Sequence, residues 1–470
     1  MSRFATLVVV EILLFAPLSA SAKTLYVDGS AGNDSTTYAA NGPSSPWRTI
    51  GRAAWGSANR GAPNAGQAAL AGDTVRIVTG TYTSALSTGT GRYDVLYNPV
   101  NSGTSGNPII FIAQGTVAIE APSWGGPVIG ANSVNYIVWN GPFLIDETRI
   151  ETAPDTGPVV FHASIGSGID GATISGAGAT WADNHNGIRF DASQGCFARN
   201  NTIRNFKSAQ GPTSQNGACI MMYDSQDIVM EHNDISGCGA GIFVKGQTQG
   251  QVQRRITIRF NDIHDMLNQT VVLLASTDSR IYQNVLRDSP IGVTIFGNGP
   301  GDAPTNDIVA NNTLDNLSSV AVLYRGSSYW QNLRIWNNII TNTQYAYQSD
   351  SVSGPGSSTN NHSVYFAFPS DRFAGFTGGN YSFAAWRTAF GQDSLSTTTN
   401  PMYRNPATDD FRLDPSSPVL GLGRDILDLD GDGSTTDSIN PGAYVTGSEV
   451  IGPGPVDPPG VPTHVRIIRS

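Results

Sequence analysis

Through the middle of the chain, an apolar residue recurs three positions before an asparagine and another two positions after it. The register is shared by Ala198 and Ile203 around Asn201, Met230 and Ile235 around Asn233, Ile258 and Ile263 around Asn261, Ile281 and Leu286 around Asn284, Val309 and Leu314 around Asn312, and Ile335 and Ile340 around Asn338. The intervals are 32, 28, 23, 28 and 26 residues. One turn of a parallel β-helix consumes about this much chain, with the apolar residues pointing inward and the asparagines stacked at a corner, each bonding to the next. Weaker copies lie around Gly141 and Ala172. No long stretch spaces its apolar residues at helical intervals, so the pattern predicts an all-β chain.

After each corner comes a further short strand. Taking Ile188, Ile220, Ile242, Val272, Val293 and Val322 as equivalent inward positions makes Phe190, Met222, Val244, Leu274, Ile295 and Tyr324 inward as well, because side chains alternate along a strand. The next residues then form an outward column of Asp191, Tyr223, Lys245, Ala275, Phe296 and Arg325, with Arg189 on the same face and Asp224 at its edge. At about 4.8 Å per step, Tyr223 lies one step from Lys245, Asp191 two, and Arg325 three the other way.

Both ends of the chain carry motifs of their own. Leu25-Tyr26-Val27-Asp28-Gly29, Pro46-Trp47-Arg48-Thr49-Ile50, Ala71-Gly72-Asp73-Thr74-Val75 and Gly80-Thr81-Tyr82 resemble the opening of secreted right-handed parallel β-helix repeat proteins of the pectate lyase-like superfamily. Asn400-Pro401, Asp410-Phe411-Arg412-Leu413, Ser417-Pro418 and Pro441-Gly442-Ala443-Tyr444 resemble their closing segment. The resemblance implies a single-stranded right-handed parallel β-helix with N- and C-terminal caps, and matches no particular lyase or hydrolase family. The expected division is a leader over 1–22, an N-terminal cap and first coils over 23–135, the regular solenoid over 136–351, a C-terminal cap over 352–447, and a Pro-rich linker and tail over 448–470. Caps are needed because end coils expose strand edges and core. Within the last part, Ile451 to Pro462 suits a stiff, extended tether, and His464 to Ser470 is a short basic apolar tail.

The leader is expected from Arg3 ahead of an apolar run from Phe4 to Leu18, interrupted by Glu11, and from Ala20-Ser21-Ala22, with cleavage before Lys23. A secreted protein, extracellular or periplasmic, with no membrane span after cleavage is the consequence; the chain is read as a monomer. A formal charge of −10 argues against a nucleic-acid partner, since phosphate neutralisation needs a basic surface. It leaves room for an acidic polysaccharide, because a local group of cations or a bound metal reverses the field within one groove. Cys196, Cys219 and Cys238 allow at most one internal disulfide and are otherwise read as small buried hydrophobes.

By resemblance, secreted β-helix polysaccharide lyases use this strand face, often with a Lys or Arg base and acid-bound calcium. The chemistry is removal of the proton beside a uronate carboxylate followed by loss of the glycosidic oxygen. It needs a base of lowered proton affinity and a cation for the developing charge. Lys245 is the candidate base, with Arg189 and Arg325 as candidate catalytic cations, Tyr223 and Phe296 as stacking surfaces for sugar rings, and Asp191, Asp224 and Glu231 as candidate calcium ligands. Salt bridges to Arg189, Arg254 or Arg255 are the structural alternative for those acids. Asp428, Asp430 and Asp432 alternate ahead of Gly433 like the first half of a calcium loop, although the twelfth position from Asp428 is Ile439 where a complete loop needs Glu. His185, His232 and His264 are read as turn or surface residues. The competing readings are a non-catalytic glycan-binding or matrix protein, and a glycoside hydrolase. The hydrolase ranks lower because the Asn-Thr-Asp, Asp-Asp and Gly-His-Gly set of β-helix polygalacturonases is absent.

Overall fold

The computed structural model describes residues 22–454 apart from 88, 90, 151–155, 179–182, 247–252, 298–302, 327–329 and 350. The sequence-predicted leader, except Ala22, and the chain from 455 onward lie outside the described residues. No helix among the described residues is long and apolar enough to cross a membrane.

The chain winds into coils that each contribute short strands to parallel ladders. One ladder contains Val159–His162, Ile188–Asp191, Ala218–Tyr223 and Ala240–Val244, then Gln269–Leu274 and parts of the longer strands Val285–Gly297 and Thr313–Gly326. A second contains Phe197–Arg199, Val229–Glu231, Thr257–Arg259 and Arg280–Tyr282. A third contains Thr202–Arg204, Asp234–Ser236 and Asp262–His264. Inward residues of all three form one buried core along the solenoid, including Ile203, Met222, Met230, Ile235, Ile242 and Val244.

The asparagine register is a hydrogen-bonded ladder. Asn201 donates through Nδ2 to Asn233 Oδ1 at 3.0 Å, Asn233 to Asn261 at 2.9 Å, Asn261 to Asn284 at 2.9 Å, Asn284 to Asn312 at 2.9 Å, and Asn312 to Asn338 at 3.1 Å. All six are buried. The corner itself is made one residue earlier. Asn200, His232, Phe260, Gln283, Asn311 and Asn337 take left-handed φ values of 51° to 57°, a conformation disfavoured for side-chain-bearing residues and braced here by the ladder beside it.

One strand departs from the expected register. Ile242 and Val244 lie opposite Val271 and Leu273, which enter the core, so Val272 and Leu274 face outward. Leu274, not Ala275, therefore follows Lys245 in the column. The run Val271 to Leu274 is apolar on both faces and offers no alternation from which to fix register.

The N-terminal end is closed by the fully buried helix Ile50–Trp55, capped by Thr49 Oγ1 on Arg52 N at 3.0 Å. It stops at Gly56, whose φ of 71° leaves no room for a side chain: a Cβ there would meet Asn64 O at 1.8 Å. At the other end, the helix Phe383–Phe390 sets Trp386 against Tyr347, with ring centroids 5.0 Å apart. From there the chain turns back along the solenoid flank. Arg424 O accepts from Asn337, Asn440 O from Asn311, and Glu449 Oε1 from Gln283; Gly452 N donates to Phe260 O and Gly454 N to Asn200 Oδ1. The C-terminal contact with the solenoid thus continues past 447, and Ile451–Gly454 are strapped to it instead of forming an extended tether. Cys219 and Cys238 form a disulfide, while Cys196 is a buried free thiol.

Candidate functional site

Lys245 follows the strand Ala240–Val244, and its N–H continues the ladder by donating to Met222 O at 3.1 Å. With Val244 opposite Met222 and Asp191 opposite both Tyr223 and His162, the column His162, Asp191, Tyr223, Lys245 is in register on the outward face. That face carries its own buried apolar cluster of Met221, Phe243, Val272 and Leu274, with Tyr223 in it and Phe296 against it. Lys245 Nζ lies 5.3 Å from the Tyr223 ring centre and 5.4 Å from that of Phe243. Its hydrogen bonds go to two neutral acceptors, Asn216 Oδ1 at 2.9 Å and Asn184 Oδ1 at 3.2 Å.

The two ring faces favour a cation, whereas burial and the neighbouring Arg189 disfavour it. Burial, and next to it the positive Arg189, push the Lys245 pKa down to about 8, with Asp183 acting weakly the other way. Arg189 is itself buried. Its Nε donates to Asp191 Oδ2 at 2.8 Å and its guanidinium lies 4.6 Å from the Tyr223 ring centre. The same Asp191 oxygen accepts the Tyr93 O–H at 2.5 Å, and the Tyr93 ring stacks on His162 at 3.7 Å between centres. His162 in turn meets Asn132 Oδ1 through Nδ1 at 2.8 Å. Tyr223 donates to Asn184 Oδ1 at 2.7 Å, and burial raises its phenol well above the ordinary range. Burial lowers His162, and burial with the neighbouring Asp191 raises Asp224.

The candidates from sequence divide accordingly. Lys245, Tyr223, Arg189 and Asp191 are brought together, but Arg189 and Asp191 form a buried ion pair, so Asp191 is a counter-ion and not an open calcium ligand. Its Oδ1 is buried with no hydrogen-bond partner, as is Oδ1 of Asp224, which ends its strand at a φ of 48°. Glu231 is on the second ladder, paired with Arg259 at 2.7 Å, and does not join Lys245. The Phe296 and Arg325 end of the column also stands apart: Leu274 and Phe296 intervene, and the Arg325 guanidinium lies 5.0 Å from the Phe296 ring centre. Of the histidines, His185 is buried against Glu147 at 2.8 Å, not at the surface, because this pair anchors the segment carrying Asn184. His232 is half-buried and stacked on Phe260.

Sequence reasoning missed Arg92, Tyr93, His162, Asn184 and Asn216. His162 was legible as the next member of the column; the others sit in connections that carry no periodic signal. Arg92 lies beside Tyr93, its guanidinium 5.9 Å from the ring centre, and its charge reaches Tyr223.

In the C-terminal region, Asp428 and Asp430 gather with Asp425, and Asp430 and Asp432 with Asp437, with ligand atoms of each trio within 4.8 Å of one another. Asp425 and Asp437 were not anticipated. Several of these oxygens already accept backbone N–H groups, as Asp428 Oδ1 does from Gly433, but Asp437 Oδ1 is buried without a hydrogen-bond partner. An all-oxygen donor set with spare lone pairs suits a hard cation such as calcium.

The family model of the right-handed β-helix region matches residues 186–362. Among solved structures, XylC in complex with xylose aligns at a TM-score of 0.50 and 12% identity, covering 81% of this chain and 87% of XylC. Pectate lyase Pel9A aligns at 0.48 and 14%, covering 91% and 97%. PfbA, a surface adhesin of Streptococcus pneumoniae, aligns at 0.46 and 14%, covering 63% and 79%. No curated protein matches the chain at a significant level. With parallel ladders, an asparagine corner and this matched region together, the chain folds as a right-handed parallel β-helix, a statement about its fold and not its reaction.

Proposed function

We propose that this protein acts on an acidic, uronate-containing polysaccharide by β-elimination, with Lys245 as the base. The observation that carries the reading is the state of the Lys245 amine. It is largely buried, bonded to neutral acceptors and beside Arg189, which lowers its pKa to about 8. The neutral amine takes the proton from the carbon beside the carboxylate. That electron pair forms a carbon–carbon double bond as the bond to the glycosidic oxygen breaks, and the departing oxygen recovers a proton from the ammonium just formed. Arg92, beside Tyr93, is the cation this reading assigns to the carboxylate.

Support also comes from the disulfide Cys219–Cys238, since disulfides persist in oxidising, extracytoplasmic compartments where polysaccharides are met. XylC, of the same fold, holds a sugar. Calcium enters the proposal at the Asp425 to Asp437 turn as a structural ion, away from the column. The test is incubation of the purified protein with pectin, alginate and chondroitin, with and without chelator, following ultraviolet absorbance of the unsaturated product. Elimination that Lys245→Ala abolishes supports the reading. Binding of a polymer with no product, in any condition, transfers it to a glycan-binding protein.

A further inference from the structure

We infer that Asn184 and Asn216 are positioning residues for Lys245: their carbonyl oxygens take both N–H bonds of the neutral amine and leave its lone pair uncommitted for a substrate proton. The inference rests on the reading of Lys245 as the base. A neutral primary amine carries two N–H donors and one lone pair, and the two amide oxygens lie within hydrogen-bonding distance of Nζ, at 2.9 Å and 3.2 Å. With the N–H directions taken, the tetrahedral nitrogen has its remaining direction fixed.

The orientation of each amide is determined by its other partner. Asn216 donates through Nδ2 to Gln210 Oε1 at 3.1 Å, and turning the amide over would set oxygen against oxygen at Gln210. Asn184 Oδ1 receives the Tyr223 O–H at 2.7 Å as well as the lysine, so one oxygen gathers both donors. Asn184 is held in place from behind by the adjacent His185, buried on Glu147 at 2.8 Å. The residue type matters as much as the place. A carboxylate at either position would bind the ammonium far more tightly than the amine and keep the base protonated. The other charged and titratable groups acting on this nitrogen are Arg189, paired to Asp191 on the neighbouring strand, Asp183 on the Asn184 segment, and Tyr223; Arg92 and Tyr93 act on Tyr223.

The experiment reads the amine directly. An amine-reactive acyl reagent labels only the unprotonated form, and peptide mass spectrometry gives the labelling rate of Lys245 against pH in the full chain. The parent is expected to show a midpoint near 8. Asn216→Asp and Asn184→Asp should each raise it by about 1 to 3 units, a shift that a purely structural defect does not produce. In an active protein the rising limb of kcat/KM should move by the same amount, while Asn216→Ala should lower kcat more than it changes KM. Circular dichroism identifies any variant that fails to fold, and the other Asp variant then decides. Unmoved midpoints in folded Asp variants overturn the positioning role, even if elimination is observed. Moved midpoints with no elimination on any uronic polymer uphold it and overturn the reaction.

Discussion

The phenol of Tyr93 donates to Asp191 Oδ2 at 2.5 Å across 98 positions of sequence, tying a loop of the first coils to the face that bears Lys245. Because the acceptor is a buried charge, the bond belongs to the stronger class. Tyr93→Phe should lower unfolding free energy by about 1.5 to 3 kcal/mol in a denaturant titration, and an unchanged midpoint would count against the contact.

Lys245 should set the pH dependence of any activity. Its pKa of about 8 predicts that kcat/KM rises with pH up to a plateau above that value. The same shift has a stability consequence. In the unfolded chain the lysine keeps its ordinary value of 10.5, so between pH 8 and 10.5 the unfolded state binds more protons and stability rises with pH. At pH 7 the buried charge is a net cost, and Lys245→Met should abolish activity while the melting temperature holds or increases. A large drop in melting temperature would mean that the lysine is structural.

His264 should behave in the opposite sense. Its hydrogen bond to Asp234 first, and that to Asp265, raise its pKa to about 9 against burial. The stabilisation is complete below the unfolded value near 6.5 and is lost as pH rises through 9. Melting temperatures between pH 6 and 10 should include a falling component that His264→Gln removes; identical slopes for the two proteins would contradict this.

Asn261 occupies the middle of the ladder, its Nδ2 within reach of Asn284 Oδ1, Met230 O and Arg259 O, and its Oδ1 receiving Asn233 N and Nδ2. Asn261→Leu leaves buried partners on both neighbouring coils unsatisfied and should cost at least about 2 kcal/mol. Chemical denaturation of the variant measures it.

If calcium occupies the Asp425 to Asp437 turn, chelation at matched ionic strength should lower the melting temperature, and Asp428→Asn with Asp430→Asn should remove the difference between calcium and chelator. Equal melting of the parent in both conditions would dismiss the ion.

The solenoid was legible because its determinants are periodic: an asparagine that must be buried and bonded repeats with its apolar escorts, and the strand beyond each corner alternates. That alternation was enough to put Val244 inward and Lys245 outward. It failed at Val272, where consecutive apolar residues satisfy either face. The site was only half legible for a related reason. Lys245, Tyr223 and Arg189 belong to the repeating strands, whereas Tyr93, Asn184 and Asn216 arrive from connections whose course is set by tertiary contacts. Glu231 was misplaced because adjacency to the corner asparagine carries no information about which ladder's outer face a residue joins.

A stack of coils in contact only with nearest neighbours can peel from its ends one coil at a time. The returning C-terminal segment changes this, since its bonds to Asn337, Asn311, Gln283, Phe260 and Asn200 run across several successive coils and link ones that are not nearest neighbours. It acts as a splint: fraying at the last coil must first strip a chain whose far anchor lies in the middle of the body. Local opening is thereby converted into a cooperative event, and the strands that present Lys245 sit inside the splinted span, where their spacing is held against slippage.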